Sequence, residues 1–226
     1  MRLAAAGLIG ILTAGLATTI IPLAIGGSAA RHPGRMLRTD LFLAHALIER
    51  PVAIVIGDSR VDQAVDPAPG VLKVGYGGAP LRDLIGLART LCFVARPASI
   101  VVAAGINDAR DPRMRAEAFV RDAALMMTIC PGARMTVMGV WPGETDRPPL
   151  GATTPINRIV LINRLLRQVS SERRARFIPP PSRVIATQDG VHFAPAENRR
   201  WSRLLWQAAL ASNPHPPLDS MSPPTA

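Results

Sequence analysis

Lysine is almost missing from this 226-residue chain: Lys73 is the only one among 26 basic residues. The arginines that make up the rest are scattered over expected helices and loops, and aromatic residues are only 4% of the sequence, so no basic aromatic motif forms. A formal charge of +10 with a pI near 11.4 would suit nucleic acid, anionic lipid or acidic polysaccharide. Without such a motif nucleic acid is not an expected partner, and the arginines read first as a solvated surface. Cysteine is nearly absent too, with Cys92 and Cys130 alone, which limits the chain to one bridge. No internal repeat is present, and the length fits one catalytic domain with an N-terminal appendage rather than two domains.

Charge is absent altogether from residues 3–30, a run longer than the roughly 20 apolar residues that cross a hydrocarbon core. Residues 1–30 are therefore expected to be a signal peptide or membrane anchor. Ser28-Ala29-Ala30 offers small residues for cleavage, yet the run exceeds the roughly 7–15 residues of an ordinary signal-peptide core. An uncleaved anchor, with the membrane as partner, is the favoured reading. Arg31, Arg35 and Arg38 follow the run and only Arg2 precedes it, which by the positive-inside rule would keep the following domain in the cytoplasm.

Apolar spacing predicts a connecting helix over 36–50 within a linker at 31–51, closed by Pro51. A domain at 52–212 then alternates short apolar strands (52–56, 71–74, 99–104, 135–140, 176–178) with helices (81–94, 115–129, 156–169, 196–211). Continuous apolar strands between helices imply a parallel sheet covered on both faces. Residues 213–226, rich in Pro and Ser, read as a disordered tail.

Chemistry gathers where strands end. The first strand runs into Gly57-Asp58-Ser59-Arg60, and in an open α/β sheet ligands collect at the carboxyl ends of strands. That places Ser59 where a nucleophile is useful, although Gly-Asp-Ser is also a common turn or helix cap. The next strand exits carry Gly75-Tyr76-Gly77-Gly78 and Gly105-Ile106-Asn107-Asp108. The N–H groups of Ser59 and Gly78 and the Asn107 amide would make an oxyanion hole; plain turns and caps are the alternative. Before the last helix stands Asp189-Gly190-Val191-His192, where the carboxylate can accept the imidazole Nδ1–H and leave Nε2 free to take a hydroxyl proton. Of four histidines, His32 and His45 lie near the anchor and His215 in the tail, leaving His192 against the domain.

These four ordered blocks, covering about residues 52–210, resemble those of SGNH hydrolases, also called GDSL esterases and lipases. The resemblance implies a flavodoxin-like three-layer α/β/α sandwich with a central parallel sheet. It also implies acyl-ester chemistry without metal or cofactor. Ser59 is then nucleophile and N–H donor, Gly78 and Asn107 the other oxyanion donors, His192 the base and Asp189 its orienter. The chain departs from the pattern at Lys73-Val74-Gly75, where an asparagine is usual upstream of the second-block glycine. It departs again at Arg60, where many esterases carry a small or apolar residue. Gly-Asp-Ser-Arg resembles SGNH-like proteins that act beside polysaccharide O-acylation machinery.

The resulting expectation is a serine esterase acting on a small acyl ester, acetyl above all, on a carbohydrate. An O-acyltransferase sharing the acyl-enzyme, and a non-catalytic carbohydrate-binding or assembly subunit, are the alternatives. Export to the periplasm or exterior is favoured, since a short apolar segment ahead of a hydrolase has few other uses. Arg60, Arg82 and Arg110 follow the three candidate oxyanion blocks and are read as surface arginines or as contacts that favour an anionic substrate, residues 141–155 as a lid or specificity loop, and Trp141 as a sugar-stacking platform or a core cap. Cys92 and Cys130 end helices that should be neighbours, so they either bridge in an oxidising compartment or remain buried thiols.

Overall fold

The computed structural model describes residues 33–211; the charge-free run and the Pro-rich tail lie outside the described residues. In chain order the elements are α1 (Pro33–Glu49), β1 (Ala53–Gly57), α2 (Ser59–Asp62), β2 (Val71–Gly75), α3 (Leu81–Ala95) and β3 (Ser99–Ala103). They continue with α4 (Ile106–Arg110), α5 (Ala116–Thr128), β4 (Arg134–Met138), a 3-10 turn (Gly151–Thr153), α6 (Ile156–Glu172), β5 (Arg176–Ile178) and α7 (Pro195–Leu210). The two short helices α2 and α4 carry Ser59 and Asn107 and were not expected from periodicity, because a single turn holds too few residues to show one.

All strand pairs are parallel, in the order β2-β1-β3-β4-β5. That is the flavodoxin-like doubly wound order, with its switch point between β1 and β3. Alternation along the strands sorts the core into two. Ile54, Ile56, Leu72, Val74, Ile100 and Val102 face the layer of α1, α3, α5 and α6, while Ala53, Val55, Val71, Val101 and Ala103 face α7. Among the described residues one long helix covers that second face. The bulk needed there comes from aromatics: Trp141, Trp201, Trp206 and Phe193 are all buried in this layer.

Residues 36–49 do more than connect. Leu43 and Ala46 of α1 belong to the core, and the helix packs on α3 and β2. The structure also pairs Cys92 with Cys130, with Cα atoms 5.5 Å apart, within the span a disulfide needs. The reading of two unpaired thiols is thereby corrected: neighbouring helices bring the two chain segments to one edge, as their order along the sheet requires. Among the described residues no helix is long and apolar enough to cross a membrane.

Candidate active site

The strand register sets the site. Gly57 stands opposite both Gly75 and Ala103, so three strands end at one level and their exits converge. Asp58 caps α2, its carboxylate accepting the Arg60 backbone N–H at 2.9 Å, and Ser59 begins the helix just beyond. The Ser59 hydroxyl lies 2.9 Å from His192 Nε2. On the other side of the ring, His192 Nδ1 lies 2.6 Å from Asp189 Oδ2. The second Asp189 oxygen accepts the backbone N–H groups of Val191 (2.9 Å) and His192 (2.8 Å). With its carboxylate so committed, Asp189 accepts the Nδ1 proton, and the tautomer left at Nε2 is an acceptor for the serine.

Burial pushes the Asp189 carboxyl up, but its hydrogen bonds from His192 and Val191 and the His192 charge outweigh this, and it titrates below its usual range. The side chains of His192 and Asp189 are 19% and 23% exposed. The relay is therefore shielded yet reachable from solvent.

Gly78 has φ +71°, a backbone state in which an L side chain is strained. Its N–H and that of Ser59 have no hydrogen-bond acceptor among the described residues. Asn107 Nδ2 donates to the Ala79 carbonyl at 3.1 Å, which ties α4 to the Gly78 turn and leaves a second amide hydrogen. Asp108 next to it accepts the Leu81 N–H at 3.0 Å, holding the start of α3. Burial pushes its pKa up to about 6.

Arg60 is placed differently from expectation. It is 4% exposed and turned inward, so it presents no charge to a substrate. Its Nε donates to the Val191 carbonyl at 2.9 Å and Nη1 to the Trp141 carbonyl at 2.8 Å, while the guanidinium lies 4.4 Å from the Phe193 ring centroid. Burial lowers its pKa to about 10, against the charges of Asp58 and Asp189. Burial likewise raises Asp58 to about 6, against the Arg60 charge and N–H. Arg60 thus fastens the residue before His192 to the helix that carries Ser59.

Trp141 is 3% exposed and its ring packs 5.7 Å from Phe193, so it caps the core and offers no face to a sugar. Residues 141–155 are not a free lid. Glu144 accepts both the N–H (2.7 Å) and hydroxyl (2.8 Å) of Thr187, which keeps its pKa low. The Leu150 N–H donates to the Asp189 carbonyl at 2.8 Å. Gly190, at φ +92°, packs so closely that a Cβ would run into the Gly151 backbone. The segment is a buttress for the loop bearing Asp189 and His192. Glu144, Thr187 and Gly151 were not singled out in the sequence, because their partners lie some forty residues away in the chain. Of the other arginines, Arg82 is exposed beside Asp83, and Arg110 donates to Thr153 Oγ1 at 2.9 Å.

No family model matches the chain, and no curated protein matches it in sequence. Solved structures do match its fold. A putative platelet activating factor from Streptococcus pneumonia superposes with a TM-score of 0.65 at 15% identity, covering 75% of this chain and 89% of that one. A GDSL-like lipase from Bacteroides thetaiotaomicron VPI-5482 gives 0.62 at 15% identity, over 75% and 96%. A peptidoglycan O-acetylesterase gives 0.50 at 16% identity, over 62% and 47%. At such identities the likeness is one of fold, and the fold is the α/β sandwich of the SGNH/GDSL hydrolases.

Proposed function

From the fold of the SGNH/GDSL hydrolases, we propose that this chain is a serine esterase that removes a small acyl group, acetyl above all, from a carbohydrate. The observation that carries the reading is the unbroken relay Asp189–His192–Ser59, with contacts of 2.6 and 2.9 Å, at the carboxyl ends of the strands. A serine hydroxyl is a weak nucleophile near neutrality and needs such a base. A binding module has no use for one.

In this mechanism His192 Nε2 takes the Ser59 proton as Oγ attacks the acyl carbon, and Asp189 stabilises the imidazolium that forms. The charge on the carbonyl oxygen meets the N–H groups of Ser59 and Gly78 and the free amide hydrogen of Asn107. Collapse breaks the bond to the sugar oxygen, which leaves with the proton from His192. Water, deprotonated by His192, then attacks the acyl-enzyme, and the carboxylic acid departs as Ser59 regains its proton. No metal or cofactor enters these steps.

The sugar part of the reading is supported by the fold likeness to a peptidoglycan O-acetylesterase and by a relay shallow enough to meet a bulky alcohol. Export, with residues 3–30 as the anchor, is supported by the Cys92–Cys130 pairing, which suits an oxidising compartment. A fluorophosphonate probe on the purified protein should label Ser59, and acetylated sugars should release acetate. Absence of label, or turnover retained in Ser59→Ala, would refute the reading; acetyl transfer to an added sugar in place of acetate release would make it an O-acyltransferase. A C-terminal reporter active only in the cytoplasm would overturn export.

A further inference from the structure

Helix α1 is apolar on two opposite sides. Thr39, Leu43 and Ala46 turn inward and are buried. At 100° per residue, Leu37, Leu41, Ala44 and Ile48 fall on one narrow stripe on the far side, and there they are exposed, Leu37 by 63%, Leu41 by 60% and Ile48 by 77%. Leu47 beside them is 60% exposed. From Leu37 to Ile48 the stripe is eleven residue steps long and runs about 16 Å along the helix. Single exposed leucines need no explanation, but an ordered row of them does. The helix lies at the β2 edge of its layer, packing on α3 and β2, so the stripe faces away from the domain.

Three facts name the occupant. The charge-free run of residues 3–30 ends only Arg31 and His32 before Pro33, so a membrane crossed by that run would begin within a few residues of the stripe. The run also has far more apolar surface than so short a stripe could cover by folding back on it. Finally, the net charge of +10 favours an anionic lipid surface. We propose that the outer face of α1 lies on the lipid surface beside the point where residues 3–30 enter it, as an interfacial amphipathic helix does.

The placement has a consequence for Ser59. The first half of α1 is fastened to the site end of the sheet: Arg38 donates to Asp62 at 2.5 and 3.2 Å, and Thr39 shares a hydrogen bond of 2.6 Å with the Tyr76 hydroxyl. Asp62 belongs to the same short helix as Ser59, and Tyr76 directly follows β2. Lipid contact through α1 therefore holds the Ser59 rim beside the bilayer, where substrates near or attached to the membrane would be met. This inference uses the anchor reading of residues 3–30 and is independent of the reaction at Ser59.

The test uses the full chain in vesicles of phosphatidylcholine and phosphatidylglycerol. With Cys92 and Cys130 paired, Ala44→Cys and, as control, Val160→Cys on α6 (62% exposed) each provide one reactive thiol for an environment-sensitive fluorophore. Flotation with the vesicles reads anchoring; quenching by a nitroxide-bearing lipid reads contact of α1. The label at 44 should shift to the blue and lose most of its emission to the lipid quencher, with little loss at 160. In Leu37→Gln/Leu41→Gln/Ile48→Gln the quenching at 44 should vanish while flotation persists. Equal quenching at 44 and 160 would overturn the proposal, as would failure to float. Shielding of 44 from aqueous iodide without lipid quenching would also overturn it, and would assign the stripe to a second copy or to the N-terminal segment.

Discussion

Replacing Arg60 by methionine removes a charge that sits between the two halves of the relay. The loss has three parts. Two hydrogen bonds from a charged donor to the buried carbonyls of Val191 and Trp141 disappear, each typically worth about 1.5–3 kcal/mol. The cation over Phe193 is lost, and buried Asp58 loses the charge that most favours its ionised form. Methionine recovers part of this by filling the volume, so the net cost should be about 3–5 kcal/mol, as for breaking a buried ionic contact. For a domain of this size that is a fall in Tm of about 6–20 °C. The cost should depend on pH. Below the Asp58 pKa of about 6 the carboxyl is already neutral in the folded state, and only the hydrogen-bond and Phe193 parts remain; above it the loss of the Asp58 attraction is added. Denaturant titrations at pH 5 and pH 8 would measure this, with the larger loss at pH 8. Freed from Arg60, Val191 no longer fixes the backbone entering His192, and a displacement on the order of 1 Å costs roughly 10² in rate. In hydrolysis of an activated acetyl ester kcat should fall and KM hold, because Arg60 is buried away from the substrate, and Arg60→Lys should be intermediate. Equal stability losses at the two pH values, or a wild-type kcat in a destabilised variant, would refute the coupling.

Three further outcomes are expected. Burial holds Asp58 and Asp108 at about 6 against an ordinary 3.8, so between those values the folded state binds more protons than the unfolded chain and stability falls as pH rises. Asp108→Asn keeps an acceptor for Leu81 and should flatten part of that slope in thermal scans, with a gain at pH 7 of at most about 3 kcal/mol from a shift of two units; lower stability at pH 7 would show that Leu81 needs the carboxylate. Asn107→Ala should lower kcat by about 10²–10³ with little change in KM, as loss of an oxyanion donor does, and an effect on KM alone in steady-state kinetics would make Asn107 a substrate contact. Replacing both cysteines by alanine should cost about 4 kcal/mol in the chain-entropy account for a separation of 38 residues. Because the bridge lies at the end of the sheet away from Ser59, kcat should not change, and a variant with lost activity but unchanged Tm would contradict that placement.

Much of this arrangement is legible in the sequence, and the parts that are not share a cause. The strands were readable because buried parallel strands are continuous apolar runs, and β2, β3 and β5 fall within a residue or so of where the runs put them. Ser59 and Asn107 stand out in the sequence because they follow strand ends, and Asp189 and His192 because a spacing of three residues on a turn lets a carboxylate meet an imidazole; the structure brings Ser59, His192 and Asp189 into hydrogen-bonding distance. Arg60 was misread, and Trp141 left open between a sugar platform and a core cap, for the opposite reason. Both residue types do face ligands, and only long-range packing decides whether they do so here: Arg60 reaches across 131 and 81 residues of sequence to its two carbonyls, and Trp141 meets a phenylalanine that arrives 52 residues later.

The same contrast bears on what is particular to this chain. The relay residues occupy positions that the resemblance implies, whereas the arginine after the nucleophile departs from it, and the structure gives that departure an internal use. A small apolar residue there would leave the Val191 and Trp141 carbonyls to find other donors, or none. The aromatic layer under α7 fits with this, since Phe193 offers the guanidinium a ring face and Trp141 offers its backbone. If that is the reason for Arg60, then its loss should be partly offset by changes that remove the need for it. Combining Arg60→Met with Asp58→Asn neutralises both buried charges, so at pH 8 the pair should cost less stability than the sum of the single changes, with a coupling of about 1–3 kcal/mol between neighbours in one network. Additive losses in a double-mutant cycle would mean that the two charges do not sense each other, and that Arg60 serves only as a hydrogen-bonding clamp.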